Sequence, residues 1–394
     1  MTGFNIIMIV NSQLYIKRDF VGYPNFGRRT LCNLNSDVNI KTYNNMQFRG
    51  NCIGIDKIIL KLVLPKLPDG IKYKNDCIYD LLKNIALDIG GTYFFKYSSA
   101  QLKKLEFLRQ KNEQELNPHD ENHNVIYYSI NLNEIFGEST IKTENKDQIK
   151  DLTFKGLRLC ELFYQEVRLC VDYNDIFSII ENTVEAESNL HTELTKLEMI
   201  DCSAFVNYVF SRNGEIKRNK EKVTKQKIKI WKTYDEEING LSQGIKSVKI
   251  PMNQSFVNSY KIKKLIFECD QGKKLKNYLC QINGSEIFEP IDPNEMNAIY
   301  ELNNNKKLDE NTYAIDLDSM SLKSDSDIVL SLEFTESING WFRVNTFLEI
   351  ETECIYSYGM FHLNGRRAFV ILDDCLTDIG DTVGEKGIPN WNLF

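Results

Sequence analysis

At 394 residues the chain exceeds what one hydrophobic core usually supports, so two domains or two fused barrels are expected. Its 42% apolar content suffices to fill them, and a mixed, mildly acidic charge of -7 excludes a protein that coats nucleic acid. No stretch approaches the ~18 consecutive apolar residues of a transmembrane helix, and ten scattered cysteines without a Cys-x-x-Cys pair predict free thiols in a reducing cytosol.

The first apolar run, Phe4 to Val10, has no basic flank before it and no small-residue cleavage site after it, so it reads as a strand or arm rather than a targeting sequence. KIILKLVL from Lys57 has strand period, with Ile58, Leu60, Leu62 and Leu64 facing one way. IALDI from Ile85 runs into a turn pair, Gly90-Gly91, and Asp69-Gly70 offers another. SSAQLKKLEFLRQKNEQEL from Ser98 places Leu102, Leu105 and Leu108 on one stripe behind a Ser cap, which predicts a helix. VIYYSINL from Val125 returns to strand.

LRLCELFYQEVRLCVD, from Leu157 to Asp172, alternates most clearly: Val167, Leu169, Val171 and Tyr173 on one side, Glu166, Arg168, Cys170 and Asp172 on the other. That pattern is one strand of an antiparallel sheet with a single buried face. IIENTVEAESNLHTELTKLEM from Ile179 predicts a second helix at the junction of the two halves, near residue 190. Beyond it SAFVNYVF from Ser203, KKLIFEC from Lys263, IVLSLEF from Ile328 and WFRVNTFLEIE from Trp341 read as strands.

Asn-Gly occurs at 213–214, 239–240, 283–284, 339–340 and 364–365, each a candidate two-residue hairpin tip because both central positions of a type I′ turn need positive φ. Polar Asn- and Lys-rich stretches at 110–124, 213–228 and 301–311 read as exposed loops. Many short antiparallel strands with long loops predict an all-β sandwich, barrel or jelly roll.

Several of these segments, in order, resemble the double jelly-roll major capsid proteins of nucleocytoplasmic large DNA viruses. FGRRTLCNL from Phe26 is the first. Leu64, Pro65 and Leu67 match a strand ending in Leu-Pro-x-Leu; Ile89, Gly90 and Gly91 match an Ile-Gly-Gly strand end; Tyr164, Glu166, Val167 and Arg168 match an aromatic-x-Glu-Val-Arg strand. In the second half KLEMIDCSAFVNYVFSRNGEIKRNK is similar to the first strand of a second barrel, SYKIKKLIFECD to a Val-Lys-x-Leu-Ile strand with Tyr260 where the family has His, and ECIYSYGMFHLNGRRAF to the terminal strand.

The resemblance implies two tandem antiparallel jelly-roll barrels: an N-terminal arm over 1–25, a first jelly roll over 26–189, a second over 190–373 and a tail over 374–394. It implies a viral capsid subunit that forms homotrimeric, pseudo-hexagonal capsomers tiling an icosahedral shell, assembled in the host cytoplasm. The partners would be copies of itself, with minor capsid and penton proteins and an underlying membrane, and no direct nucleic acid. A poxvirus-type transient scaffold of the same fold is the alternative, and a carbohydrate-binding or hydrolytic jelly-roll protein is the alternative from another class. Trp391 and Phe394 in the tail are candidate anchors on a neighbour.

Chemistry-bearing patterns are sparse. His119 and His123 have helical i, i+4 spacing but follow Pro118 in a loop-like stretch without a zincin Glu, and His191 and His362 stand apart. Asp316 with Asp318, and Asp373 with Asp374, are carboxylate pairs for which strand-end solvation is the expected role. The basic run Lys217, Arg218, Lys220, Lys222, Lys225 and Lys227 is diluted by Glu215 and Glu221 and reads as a solvated loop. No phosphate loop, nucleophile elbow or dinucleotide fingerprint occurs. No catalytic, metal-binding or cofactor-binding residue is expected.

Overall fold

The computed structural model describes residues 6–9, 14–22, 35–39, 52–67, 71–74, 77–109, 124–145, 148–162, 165–174, 178–181, 201–212, 215–216, 223–240, 245–250, 260–304, 307–322, 327–357 and 359–363. Contacts divide it into two compact units, the first running to Ile228 and including Tyr358–Phe361, the second starting at Lys229.

The first unit contains β1 (Ile6–Ile9), β2 (Leu14–Gly22), β3 (Asn35–Asn39), β4 (Cys52–Leu64), β5 (Leu82–Ile89), β6 (Thr92–Ser98), β7 (Asn124–Asn131), β8 (Glu138–Asn145), β9 (Gln148–Lys155), β10 (Val167–Tyr173), β11 (Asp201–Ser211) and β12 (Glu215–Ile216). Its helices are α1 (Cys77–Leu81), α2 (Ser99–Arg109) and α3 (Leu132–Ile135). Two sheets carry the orders β1-β2-β11-β4-β7 and β3-β10-β5-β6. Leaving aside the extra edge strand β1 and the β12-β8-β9 sheet, and lettering the remaining strands B to I in chain order, these orders read B-I-D-G and C-H-E-F, which is the eight-stranded jelly roll.

The second unit repeats it. β13 (Thr224–Asn239), β14 (Lys246–Ile250), β15 (Tyr260–Cys269), β16 (Leu275–Ile282), β17 (Ser285–Glu286), β18 (Thr312–Leu322), β19 (Ile328–Phe334) and β20 (Trp341–Ser357) form sheets ordered β13-β20-β15-β18 and β14-β19-β16-β17. Lettered in chain order these are again B-I-D-G and C-H-E-F. The chain is thus all-β, as its strand patterns predict, with the two tandem jelly rolls that the resemblance implies.

Period-2 patterning fixes the inward faces. Ile58, Leu60, Leu62 and Leu64 of β4 are all buried, as are Val167, Leu169, Val171 and Tyr173 of β10, with Arg168 exposed between them. Ile328, Leu330 and Leu332 of β19 do the same in the second unit. There Phe267 of β15 meets Tyr278 of β16 edge to face, with ring centroids 5.0 Å apart. The three-stranded sheet β12-β8-β9 covers the first barrel with Ile141, Leu152, Phe154 and Ile216, packed on Leu14, Ile53, Cys160 and Val209. Its other face pairs Glu138 with Lys155, Thr140 with Thr153 and Lys142 with Asp151, three complementary and wetted pairs.

Four expectations are corrected. The SAFVNYVF strand does not open the second barrel. It is β11, inserted between β2 and β4, with Val206 opposite both Asp19 and Ile58 and Tyr208 opposite Lys17 and Ile55. A strand in mid-sheet needs a partner on each edge, and both lie in the first unit, whose core receives Ala204, Val206 and Tyr208. The division of contacts accordingly follows Ile228, while position 190 lies outside the described residues.

Asn239-Gly240 and Asn339-Gly340 are not hairpin tips, because the strands on either side of each pair belong to different sheets. Instead Gly240 N donates to Gly340 O at 2.8 Å, and a Cβ on Gly240 would meet Ile338 at 2.6 Å. Asn283-Gly284 does turn as expected, with φ of 53° and 76° between β16 and β17. The expected loop over 213–228 gives way to β13 from Thr224, where Gln226, Ile228 and Ile230 point inward. The expected loop over 301–311 begins with the last turn of an unanticipated helix, α4 (Pro293–Asn304), whose inner face carries only Tyr300 as a fully buried large side chain.

Helix α2 forms where expected, with Leu102 and Leu105 buried and Gln101 Oε1 accepting Ser98 N at 2.9 Å, half of a capping box. Of the junction helix only 178–181 is described, and FGRRTLCNL, the remaining Asn-Gly pairs and Asp69-Gly70 lie outside the described residues. Cys52, Cys77, Cys160, Cys170, Cys269, Cys280 and Cys354 are free thiols. Burial pushes the thiol of Cys269 up to about 11 and that of Cys280 to about 12, which makes them poor nucleophiles.

Leu169 pairs with Leu87 of β5 and Val38 of β3 at the centre of its sheet and is fully buried. Leu169→Ala is expected to lower stability by about 2–5 kcal/mol in denaturant unfolding. A near-neutral shift would remove β10 from the barrel core.

Candidate functional site

Two of the family-like motifs meet at one corner of the β3-β10-β5-β6 sheet. β5 ends at Ile89 and β6 starts at Thr92, so the chain must reverse over Gly90 and Gly91, whose φ values are +65° and +84°. Both lie in the left-handed region, where a side chain is disfavoured. Asp88 Oδ1 accepts Gly91 N at 2.7 Å, and Gly90 N donates across to Glu166 O at 2.9 Å. The β10 register then sets Val167 opposite Ile89 and Arg168 opposite Asp88. Glu166 receives Nε of Arg168 at 3.0 Å and Nη2 at the same oxygen. This ion pair is about half exposed on both sides, so its contribution to stability is small.

Gly90 has a second reason to be glycine. A Cβ there would come within 2.5 Å of Gln165 Nε2. That amide is engaged elsewhere: Gln165 Oε1 accepts Phe361 N at 2.5 Å and Nε2 donates to Phe361 O at 3.3 Å. One side chain thereby supplies both bonds that a neighbouring strand would. The Phe361 ring sits edge-on to Phe94 at 5.7 Å, and Phe94 stacks on Phe136 at 5.1 Å. Gln165 and Phe361 were not singled out from sequence; Gln165 occupies the unspecified position of its motif, and nothing local reveals a partner 196 residues away.

Leu64, Pro65 and Leu67 have other partners. They are buried at the end of β4, where Pro65 O accepts Tyr73 Oη at 2.8 Å. Lys74 N donates to Ile179 O and Glu181 N to Lys72 O, both at 2.9 Å, and Lys74 Nζ reaches Ser178 O at 2.6 Å. The motif therefore anchors the start of the connection from β10 to β11. Burial raises the Tyr73 phenol well above its ordinary range, so it stays a donor. Tyr164, Trp391 and Phe394 lie outside the described residues.

Among the described residues the candidate chemical groups do not converge. Asp316 faces Lys264 in register, and Lys264 Nζ stands 5.3 Å from the centroid of the Tyr300 ring. His119, His123, His191, Asp373, Asp374 and the basic run over 217–222 lie outside the described residues. Among the described residues no group of three or more His, Cys, Asp or Glu is placed to hold a metal, and no helix is long and apolar enough to cross a membrane.

One polar cluster stands out in the first barrel. Asp56 is the unmatched residue of a bulge in β4, where Asn207 pairs with Lys57 but Tyr208 with Ile55. Arg18 Nε donates to Asn207 Oδ1 at 2.8 Å, while Asp56 Oδ1 is buried without a partner. Burial raises the Asp56 carboxyl above its ordinary value, against the opposing pull of Asn207, Lys57 and Arg18.

No family model matches the sequence, and no curated protein matches it. Solved structures do. A quasi-atomic PBCV-1 virus capsid chain aligns with a TM-score of 0.55 at 13% identity over 91% of this chain and 98% of that chain. A PBCV-1 crystal structure fitted into a reconstruction of the virophage Sputnik aligns with 0.55 at 12% identity over 91% and 98%. The Faustovirus major capsid protein aligns with 0.51 at 7% identity over 89% and 93%. At such identities the likeness is one of fold, and it extends through both jelly rolls.

Two predictions follow from these contacts. Gly90→Ala must adopt a positive φ and displace Gln165, so it should cost about 1–3 kcal/mol; in a Gln165→Ala background that cost should shrink, a coupling read from a double-mutant cycle of urea midpoints. Additive effects would dissociate Gly90 from the Gln165 contact. For Asp56 the folded-state pKa is raised above the unfolded value, so its contribution is full at acid pH and is lost as pH rises through the raised value. Asp56→Asn should therefore raise the unfolding midpoint at pH 7 and leave it unchanged near pH 3; the opposite order would show that the carboxylate is stabilised in place.

Proposed function

We propose that the chain is a viral capsid subunit whose work is self-assembly rather than catalysis. What carries the reading is the repetition of B-I-D-G and C-H-E-F in one chain, together with an alignment spanning nearly all of both this chain and the PBCV-1 capsid chain. Two similar barrels per subunit let a trimer approximate a hexagon, which tiles a sheet through specific heterologous contacts. The subunit's partners are then copies of itself, first within a trimer and then laterally. Minor capsid and penton proteins are needed where the tiling is interrupted, and an underlying membrane is a further partner class. Assembly in the reducing host cytoplasm suits the buried free thiols.

A sugar-binding or hydrolytic jelly roll has less support. Such a site needs clustered aromatics beside paired carboxylates, whereas Asp316 answers Lys264, and the exposed Tyr93, Tyr127 and Trp341 sit on three different strands.

Purified protein should sediment near three times 45.8 kDa, with each subunit burying more than the ~800 Å² per partner of a standard interface. The trimer should survive dilution while larger sheets dissolve, because lateral contacts have to be weak enough to correct errors. A folded monomer at micromolar concentration would overturn the reading.

A further inference from the structure

Each jelly roll carries a helix in the same topological place, between its F and G strands: α2 between β6 and β7, α4 between β17 and β18. Both are anchored through one face. Leu102 and Leu105 hold α2. Tyr300 holds α4 under Lys264, Asn297 Nδ2 donates to Thr312 O at 2.8 Å, and Asp292 Oδ1 caps the first turn by accepting Asn294 N at 2.8 Å and Glu295 N at 3.3 Å.

That anchoring fixes what α4 turns outward. Glu295, Ile299 and Leu302 lie at i, i+4 and i+7 on one exposed stripe with Ala298 beside it. Ile299 is 44% and Leu302 84% exposed, the latter the most exposed of the large hydrophobics described. The outward stripe of α2 instead carries Ala100 and Lys103. The two helices also oppose in charge. On α2 the exposed charge is Lys103, with Lys104 buried, whereas α4 has Glu295 exposed, Glu301 half-buried and no basic residue.

We infer that the Ile299–Leu302 ridge of α4 is a docking surface for a second copy of this chain, seated against α2 of that copy. The inference rests on the capsid reading. A ring of two-barrel subunits joined head to tail requires two different, complementary surfaces on each subunit. The duplicated helix position supplies them: an apolar ridge beside Glu295 on one barrel, and Ala100 beside Lys103 on the other. An apolar core with a charged rim is the composition expected of a specific contact, the rim setting orientation and the core supplying affinity.

The test uses the full-length chain in sedimentation dilution series. Ile299→Ser with Leu302→Ser should weaken self-association by about tenfold or more, as loss of an anchor does. Lys103→Glu should weaken it too, and Lys103→Glu combined with Glu295→Lys should restore it. Because these positions are exposed, thermal midpoints should match the unmodified chain; Leu302→Gln alone serves if the serine pair does not fold. Association unchanged in the serine pair, while the unmodified chain forms trimers, would overturn the ridge and leave the capsid reading standing. Weakening by the serine pair without restoration in the charge swap would overturn α2 as the seat. A monomeric unmodified chain would overturn both.

Discussion

The architecture depends on the insertion of the last strand of each barrel between its first and third. β11 hydrogen-bonds to β2 on one edge and β4 on the other, and β20 stands likewise between β13 and β15. Until that strand arrives, the B and D strands each expose an unpaired edge and half the core lacks its lid. In the second unit Val344, Leu348 and Ile350 complete the core opposite Cys269, Leu265 and Ile262. Pairings this distant in sequence must recover the entropy of closing long loops before they contribute, so both barrels belong to the slow, high-contact-order class of folds.

The local devices make sense against that constraint. A sheet assembled from remote strands needs its register fixed at points that cannot slip. The Gly90-Gly91 turn sets the β5–β6 register, the Gly90 N to Glu166 O bond ties β10 to that turn, and the Gln165 amide holds both backbone groups of Phe361. The first two are backbone constraints, and the third depends on one side-chain amide. The exposed Glu166–Arg168 pair beside them is the least important part of the motif energetically, although it is the most conspicuous in sequence.

How much of this was legible follows from what kind of signal each feature emits. Strands with one wet face, such as Val167 to Tyr173, announce themselves by alternation, and fold class follows from counting them. β20 does not alternate where Phe347, Leu348, Glu349 and Ile350 are all buried in succession, so its central position was invisible. Helix α4 was overlooked because a single large side chain buries and the apolar residues that give it pattern face outward. Its start was nonetheless encoded, in Asp292 as cap and Pro293 at the first helical position. The β11 assignment failed for another reason: proximity in sequence says which residues form a strand and nothing about which barrel receives it. The Gln165–Phe361 contact lies beyond single-sequence reasoning altogether, since neither residue has a local reason to be what it is.

On the proposed reading, the same duplication that makes a hexagon-like tile from a trimer also creates a difficulty. Two barrels of identical topology invite contacts between the wrong pair, like with like as readily as like with unlike. Specificity then has to come from surfaces that differ at equivalent positions, because the cores and connections are shared. The F–G helices differ in this sense, one presenting an apolar crest beside Glu295 and the other Ala100 beside Lys103. Juxtaposing two α4 helices would bring acid against acid, and two α2 helices base against base, so the pairing of unlike helices is favoured by repulsion in the alternatives as much as by attraction in itself.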